Sequence, residues 1–274
     1  MPELPEVETV KNSLIELVLN KKIIDVSVFY ERIIQNKTTM EFIDSLKGQT
    51  FRRIERRGKY LVFILDDFIL VSHLRMEGKY FLKNLEEKEK HEHIIFYLEN
   101  DESLRYNDTR KFGVMYLFKT TDISEVEKLA PLNALGYEPF DDRLTVEYLK
   151  TKWKNVRKPI KTSLLDQSVI TGLGNIYADE VCFMAKLNPE KVTNTLTDEE
   201  LLEIINDSKK VLAKAITLGG TTIRSFVNSH AATGLFQNEL LVHTKENCPN
   251  CYGKITKIFV GGRGTYFCPK CQKH

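Results

Sequence analysis

The sequence predicts an α+β, multidomain protein: an N-terminal helix with a β-sandwich, a helical domain, and a C-terminal zinc ribbon. Three observations carry this. Short alternating or apolar runs crowd residues 23–118, helical periodicity takes over from about residue 122, and four of the five cysteines fall in the last 27 residues. A length of 274 residues fits about two domains with a small appended module. The pattern sets boundaries at 1–121, 122–240 and 241–274.

The first element is a helix over Glu3 to Asn20, with Leu4, Val7, Val10, Leu14, Leu17 and Val18 on one face at spacings of three or four. The strand-like runs follow at 23–30, 50–56, 59–65, 68–74, 79–83, 93–99, 103–107 and 114–118, regular enough for a sandwich or barrel. The Glu-Glu-Lys-Glu-Lys run at 86–90 reads as an exposed loop. In the second half, two helical stretches between Lys161 and Ala185 flank Thr171-Gly172-Leu173-Gly174-Asn175. A long amphipathic helix then starts at Thr197-Asp-Glu-Glu and stops at Gly219-Gly220. Cys182 sits in an apolar stretch and reads as a core thiol.

The last four cysteines form Cys248-Pro-Asn-Cys251 and Cys268-Pro-Lys-Cys271, separated by 16 residues. Two thiolates on one tight turn can grip a metal ion, and a second such turn completes a tetrahedron, so the spacing predicts one structural Zn2+. Between the pairs, two short strands flank Gly261-Gly262-Arg263-Gly264. Two disulfides would suit a secreted chain instead. The N-terminus argues against secretion, being acidic with two prolines rather than basic and then apolar. The richest apolar run, from Leu61, is broken by Asp66 and Asp67, so no membrane span is expected and the reading is cytosolic.

Composition is that of an ordinary globular chain, 42% hydrophobic and 28% charged, which excludes disordered and fibrous classes. The net charge of +2 hides a gradient: −1 over residues 1–100, −3 over 101–200 and +6 over 201–274. Local clusters occur at Arg52-Arg53-Ile-Glu-Arg56-Arg57-Gly-Lys59 and at 150–161, where six basic residues meet no acidic one. Such runs suit either a solvated surface or a phosphate backbone, where each contact releases counterions. In Gly172-Leu-Gly174-Asn175 the glycines allow close backbone approach ahead of a helix N-terminus, a pattern shared by phosphate sites and plain helix-helix turns.

Seven separated segments then speak together: Met1-Pro2-Glu3-Leu4-Pro5-Glu6-Val7-Glu8, Arg57-Gly58-Lys59-Tyr60, His73-Leu-Arg-Met76-Glu77-Gly78, Arg110-Lys-Phe112-Gly113, Gly172-Leu-Gly-Asn175-Ile-Tyr, Gly219-Gly-Thr221-Thr222, and the ribbon with Gly262-Arg263-Gly264. In this order they closely resemble the formamidopyrimidine-DNA glycosylase family, from the first residue to the last. The resemblance implies a helix-two-turn-helix domain in the second half. It also implies a bifunctional glycosylase and abasic-site lyase that removes 8-oxoguanine and formamidopyrimidines from duplex DNA, with β,δ-elimination. It further implies a monomer of the bacterial cytosol, acting on DNA held between its halves, with no redox cofactor.

By the same resemblance, removal of Met1 would expose the nitrogen of Pro2 as nucleophile. A free α-amine has a pKa of about 8, leaving a useful neutral fraction, and attack by a secondary amine on C1′ gives a cationic iminium that permits elimination. Taken alone, Pro2 is equally a helix-start proline. Glu3 matches the general acid and Glu6 its supporting carboxylate, although both also suit the first turn of any helix. Lys59 matches a lysine near the lesion that assists proton transfer, and Arg263 an arginine of the second elimination. Met76, Arg110 and Phe112 match the side chains that fill the void left by an extruded base. His91, Asn175 and one or more of Lys154, Arg157 and Lys158 match phosphate contacts. Glu77, Thr221, Thr222 and Arg224 are candidate lesion contacts, the last three in or beside a loop over the flipped base. His93 reads as structural. The chain departs from the family at Val242-His243-Thr244-Lys245, where relatives commonly carry Val-Tyr-Gly-Arg. Two rivals remain: an endonuclease VIII-like pyrimidine enzyme, which lacks the void-filling set, and a lesion binder that has lost catalysis.

Overall fold

The computed structural model describes residues 2–221 and 234–273. The described residues divide into two compact units, residues 2–133 with 234, and 134–221 with 235–273. In the first, α1 (Leu4–Val18) is followed by β1 (Ile23–Val28), α2 (Thr39–Leu46), β2 (Arg53–Arg57), β3 (Tyr60–Ile64), β4 (Ile69–His73), β5 (Lys79–Asn84), β6 (Glu92–Leu98), β7 (Glu102–Asn107), β8 (Val114–Phe118) and α3 (Ile123–Val126). All eight expected strands are present. The helix α2 was not expected, although Thr38 and Glu41 form a capping box at its start.

The strands make two antiparallel four-stranded sheets, ordered β1-β6-β7-β5 and β2-β3-β4-β8. One apolar core joins them, drawing Phe96 and Leu104 from the first sheet, Phe63 and Leu117 from the second, and Val7, Leu14 and Phe42 from the helices. This is the sandwich, closed by helices. The β3 strand reads as an unbroken apolar run, and β4 opens as one before the buried Ser72 and His73, because both faces of each strand are buried. Two connections between the sheets, β4 to β5 and β7 to β8, carry residues 74–78 and 108–113.

The second unit holds α4 (Val146–Trp153), α5 (Ile160–Leu164), α6 (Asn175–Met184), α7 (Asp198–Thr217), β9 (Thr256–Val260) and β10 (Arg263–Phe267). Thr197 caps α7 by accepting from the Glu200 amide, and Asp198, Glu199 and Glu200 suit its positive end. Gly219 and Gly220 take φ of 72° and 73° and stop it, as expected. The β9–β10 hairpin turns on Gly261 and Gly262, with φ of 56° and 74°. A two-residue turn with both residues left-handed matches strand twist and strongly favours glycine. Arg263 therefore opens β10 and pairs with Val260 rather than lying in the turn. Cys182 is 1% exposed, a core thiol as expected.

Candidate functional site

In the first unit, the start of α1 buries two carboxylates, Glu3 and Glu6, at 2% and 3% exposure. The Glu3 amide donates to Glu6 Oε2 at 2.9 Å, a capping contact that holds residue 2 at the head of the helix. Helix α1 packs on β2 and β3, whose connecting turn carries Lys59, itself 5% exposed. Arg56 links the two features. Its guanidinium meets Glu8 at 2.7 Å and the Gly58 carbonyl at 3.0 Å, so the first turns of α1 and the Lys59 turn share one strut. Burial opposes ionisation of Glu8, but hydrogen bonds from Lys11 and Arg56 outweigh it and hold the carboxyl below its ordinary range.

Arg56 came into view in the sequence only as a member of a basic cluster. The fold shows that much of this cluster is neutralised within the unit: Arg52 pairs with Asp66, Arg53 with Glu55 and Arg57 with Glu127. The 150–161 cluster is different. Lys150 pairs with Asp198, and Lys161 is buried against Asp179, but Lys154, Arg157 and Lys158 are exposed and no described carboxylate pairs with them. Lys152 is exposed as well and pairs with no described carboxylate, its ammonium lying 5.7 Å from the Tyr148 ring centroid, so four cations of the run are placed for an external anion.

Met76 and Glu77 are half-buried in the β4–β5 connection, while Arg110 and Phe112 are exposed in the β7–β8 connection. Phe112 is 52% exposed, an unusual position for a large aromatic, and the Arg110 guanidinium stands 4.8 Å from its ring centroid. Beneath them lies Asp108, fully buried, accepting from the amides of Arg110, Phe112 and Gly113 at 2.8–2.9 Å. Its amide donates to the carbonyl of His91, and its carbonyl accepts from His93 Nε2 at 2.8 Å. His93 is thus a structural group, as expected, and His91 is half-buried at a fixed backbone position. The loop before His91 is held by the buried Arg105, which meets Glu92 and the carbonyls of Asn84, Glu86 and Glu87. The 86–90 run is exposed, with its backbone stapled from below. An open cleft of about 510 Å³ beside it is lined by Lys83, Glu86, Glu89 and Glu102 and contains none of the expected site residues.

In the second unit, Asn175 opens α6 and donates from Nδ2 to the Gly264 carbonyl at 2.9 Å, next to the exposed Arg263. Two carboxylates on the same helix clamp the approach to the ribbon. Glu180 accepts from the amides of Leu241, Val242 and His243 at 2.7–3.0 Å, and Asp179 meets Lys161, the Tyr266 amide and His243 Nδ1. Burial raises the Glu180 carboxyl above its usual range, with the three amides and His243 opposing. His243 therefore faces inward to Asp179 at one ring nitrogen, and its ring meets Tyr266 at 4.9 Å. Sequence reasoning missed Asp179 and Glu180 as organising residues. Thr221 is half-buried, whereas Thr222 and Arg224 lie outside the described residues.

The four cysteines converge. Their sulfurs lie within 4.8 Å of one another, with Cys248 to Cys271 at 3.7 Å and Cys251 to Cys268 at 3.5 Å. A disulfide would need about 2.05 Å, whereas four thiolates about 2.3 Å from one Zn2+ stand about 3.8 Å apart. The residues fit a single structural zinc. Gln272, 1% exposed, accepts from the Cys268 amide and donates to the Leu187 carbonyl, tying the site to the segment after α6.

Family models match along the chain: the formamidopyrimidine-DNA glycosylase N-terminal domain over residues 1–115, the formamidopyrimidine-DNA glycosylase H2TH domain over 135–227, and a zinc finger found in FPG and IleRS over 245–273. The chain belongs to the formamidopyrimidine-DNA glycosylase family. Among its relatives, the formamidopyrimidine-DNA glycosylases of Shouchella clausii and Bacillus subtilis are each 47% identical to it, over 99% of both chains. A Lactococcus lactis FPG mutant in complex with Fapy-dG containing DNA shares 42% identity and a TM-score of 0.91, covering 100% of both chains. The fold is thus the family's sandwich, helix-two-turn-helix domain and zinc finger. No helix among the described residues is long and apolar enough to cross a membrane.

Proposed function

We propose that this chain is a DNA glycosylase and abasic-site lyase of base-excision repair, releasing oxidised purines such as 8-oxoguanine and formamidopyrimidines from duplex DNA. The observation that carries this is the pair of buried carboxylates directly behind residue 2, in a chain that matches the family along its length. With Met1 removed, the Pro2 nitrogen attacks C1′ of the damaged nucleotide as the bond to the base breaks. Glu3 protonates the sugar ring oxygen, opening the ring, and Glu6 orients Glu3 through its amide. The resulting iminium withdraws electrons, so loss of a C2′ proton expels the 3′ phosphate. A second elimination expels the 5′ phosphate.

Lys59 serves proton transfer near the lesion. Arg263, permanently charged, stabilises phosphate during the second elimination. Met76, Arg110 and Phe112 fill the gap in the duplex, the apolar groups replacing stacking and the guanidinium serving the orphaned base. His91, Asn175, Lys154, Arg157 and Lys158 hold backbone phosphates. Glu77, Thr221, Thr222 and Arg224 serve the flipped base. The zinc supplies structure to the ribbon, held by Cys248, Cys251, Cys268 and Cys271. The three working modules span 1–121, 122–240 and 241–274, and the enzyme acts as a monomer in the bacterial cytosol.

A relative from Lactococcus lactis was crystallised with an oxidised pyrimidine containing DNA, which keeps pyrimidine repair as a second reading. Borohydride trapping separates the two. Preferential trapping on 8-oxoguanine duplexes, lost in Pro2→Gly, is the expected result. Preferential trapping on thymine glycol would favour the pyrimidine reading, and undiminished trapping by Pro2→Gly would remove Pro2 as nucleophile.

A further inference from the structure

Two of the connections that cross between the sheets, β4 to β5 and β7 to β8, rest on one buried hydroxyl. Tyr106 on β7 is 0% exposed, and its ring stacks edge-on against Tyr80, which donates to Ser72 at 2.8 Å. Its hydroxyl reaches the underside of residues 74–78 and of residues 108–113 together. A Cβ at Gly78 would lie 2.4 Å from that oxygen, and one at Gly113 would lie 1.6 Å from it. Neither distance is tolerated by real atoms, so both glycines are needed for close approach. The same hydroxyl donates to Asp108 Oδ2 at 3.4 Å, and that oxygen accepts the Phe112 and Gly113 amides.

The two connections also share a backbone device. Arg75, immediately before Met76, has φ of 52°, and Lys111, between Arg110 and Phe112, has φ of 57°. L side chains adopt that region at a cost, so each must be held there by its surroundings. His73 Nδ1 accepts from the Arg75 amide at 2.9 Å, and the Asp108 carboxylate fixes both neighbours of Lys111. For His73 to accept at Nδ1, that nitrogen must be unprotonated. Burial and the charges of Arg75 and Lys59 push the imidazole down to about 3, so the acceptor persists at neutral pH.

We infer that Tyr106 and Asp108 are positioning residues that hold Met76, Arg110 and Phe112 in one register, so the two connections enter DNA as a single preformed wedge. This rests on the reading of those three side chains as void-filling groups. An aromatic and a guanidinium exposed without such support would have to order at the moment of base extrusion, and the pair removes that cost beforehand.

The test uses the full-length, zinc-loaded protein in single-turnover reactions on two duplexes, one containing 8-oxoguanine and one a preformed abasic site, where no base must be unstacked. Asp108→Asn keeps the shape but turns one acceptor oxygen into a donor. Excision of 8-oxoguanine is expected to fall about 10- to 100-fold, the scale of a lost hydrogen bond to a charged group. Cleavage at the abasic site is expected to fall less than about 3-fold, because no base has to be unstacked there, whereas lost stability would lower both rates alike. Phe112→Ala is the reference, and the double variant is expected to be little slower than the worse single one, since both remove one function.

Equal losses on the two duplexes, a wild-type excision rate in Asp108→Asn, or fully multiplicative losses in the double variant would each overturn the inference. Wild-type excision by Phe112→Ala would instead defeat the wedge reading on which it rests, a distinguishable outcome. Tyr106→Phe, which removes only the hydroxyl, must show the same split between substrates with a smaller loss. If Asp108→Asn fails to fold, absence of that split in Tyr106→Phe overturns the inference by itself.

Discussion

The two units fix their exposed loops over different distances along the chain. In the first, Asp108 reaches amides two, four and five residues ahead of it, so the conformation around Arg110 and Phe112 is written locally. In the second, Glu180 reaches residues 61 to 63 positions away, and Asp179 reaches Tyr266, 87 away. The ribbon's placement on its own unit therefore exists only once the helical region and the C-terminus have come together, and the zinc closes a loop that those carboxylates anchor. A local hub is robust to change elsewhere, whereas a distant clamp makes the ribbon and α6 a single cooperative piece.

The most severe way to break this contrast is to remove the metal. Structural zinc supplies on the order of 10 kcal/mol or more in small zinc domains. Chelation or Cys268→Ser should melt the ribbon, expose the β9–β10 amides to hydrogen exchange and weaken duplex binding by about 100-fold, while the sandwich stays folded. Retained affinity in the metal-free protein would contradict it. Next, Glu180→Ala leaves three buried amides without their acceptor and should cost about 2–4 kcal/mol. Denaturant unfolding should show that loss in the second unit alone, and a loss shared by both units would mean they do not unfold separately.

A gentler contrast comes from pH. The folded state holds His73 neutral down to about 3, and His93 is also lowered, chiefly by burial, whereas the unfolded chain takes up these protons near 6.5. Stability from this source is complete above pH 6.5 and falls as pH drops toward 3, by at most about 1.4 kcal/mol per pH unit for His73. The first unit should therefore lose denaturant resistance between pH 6.5 and 4.5, before carboxylates titrate, and His73→Gln should flatten that slope. An unchanged slope would refute the assignment. The smallest effect concerns salt. Lys154→Ala, Arg157→Ala and Lys158→Ala should each reduce the slope of log affinity against log salt by about 0.9, whereas Arg52→Ala, already paired with Asp66, should leave it unaltered. Binding titrations from 50 to 200 mM salt distinguish the two groups.

The strands and the ribbon were legible because burial writes a period into the sequence and metal chemistry writes a spacing. Residues buried on both faces, such as Tyr60 to Ile64, still read as strand because they are short, β-branched or aromatic, and bounded by turns. Helix α2 escaped because eight residues give barely two turns of periodicity, although Thr38 and Glu41 mark its start. Charge was the least legible property. Lys161 looked like one of six surface cations, yet it is 0% exposed and paired with Asp179, and Arg105 is likewise fully buried against Glu92. Sequence shows that a charge exists, but its partner lies 18 residues away in one case and 13 in the other. The hub at Asp108 was hidden for another reason: a carboxylate that serves backbone amides leaves no pattern in side-chain types.

The chain order of these parts sets a timetable. All eight strands of the sandwich are complete by Phe118, whereas the partners of Asp179 and Glu180 extend from Lys161 to Tyr266. At about 5–20 residues per second, synthesis from residue 118 to residue 271 takes roughly 8–30 s. During that interval the nascent chain holds a finished sandwich bearing Glu3 and Lys59 but no ribbon. We predict that such half-made chains, arrested near residue 240, bind duplex DNA poorly, and tight binding by them would refute this. On the proposed roles, the module with the nucleophile would then be complete before the ribbon that adds its own hold on the duplex.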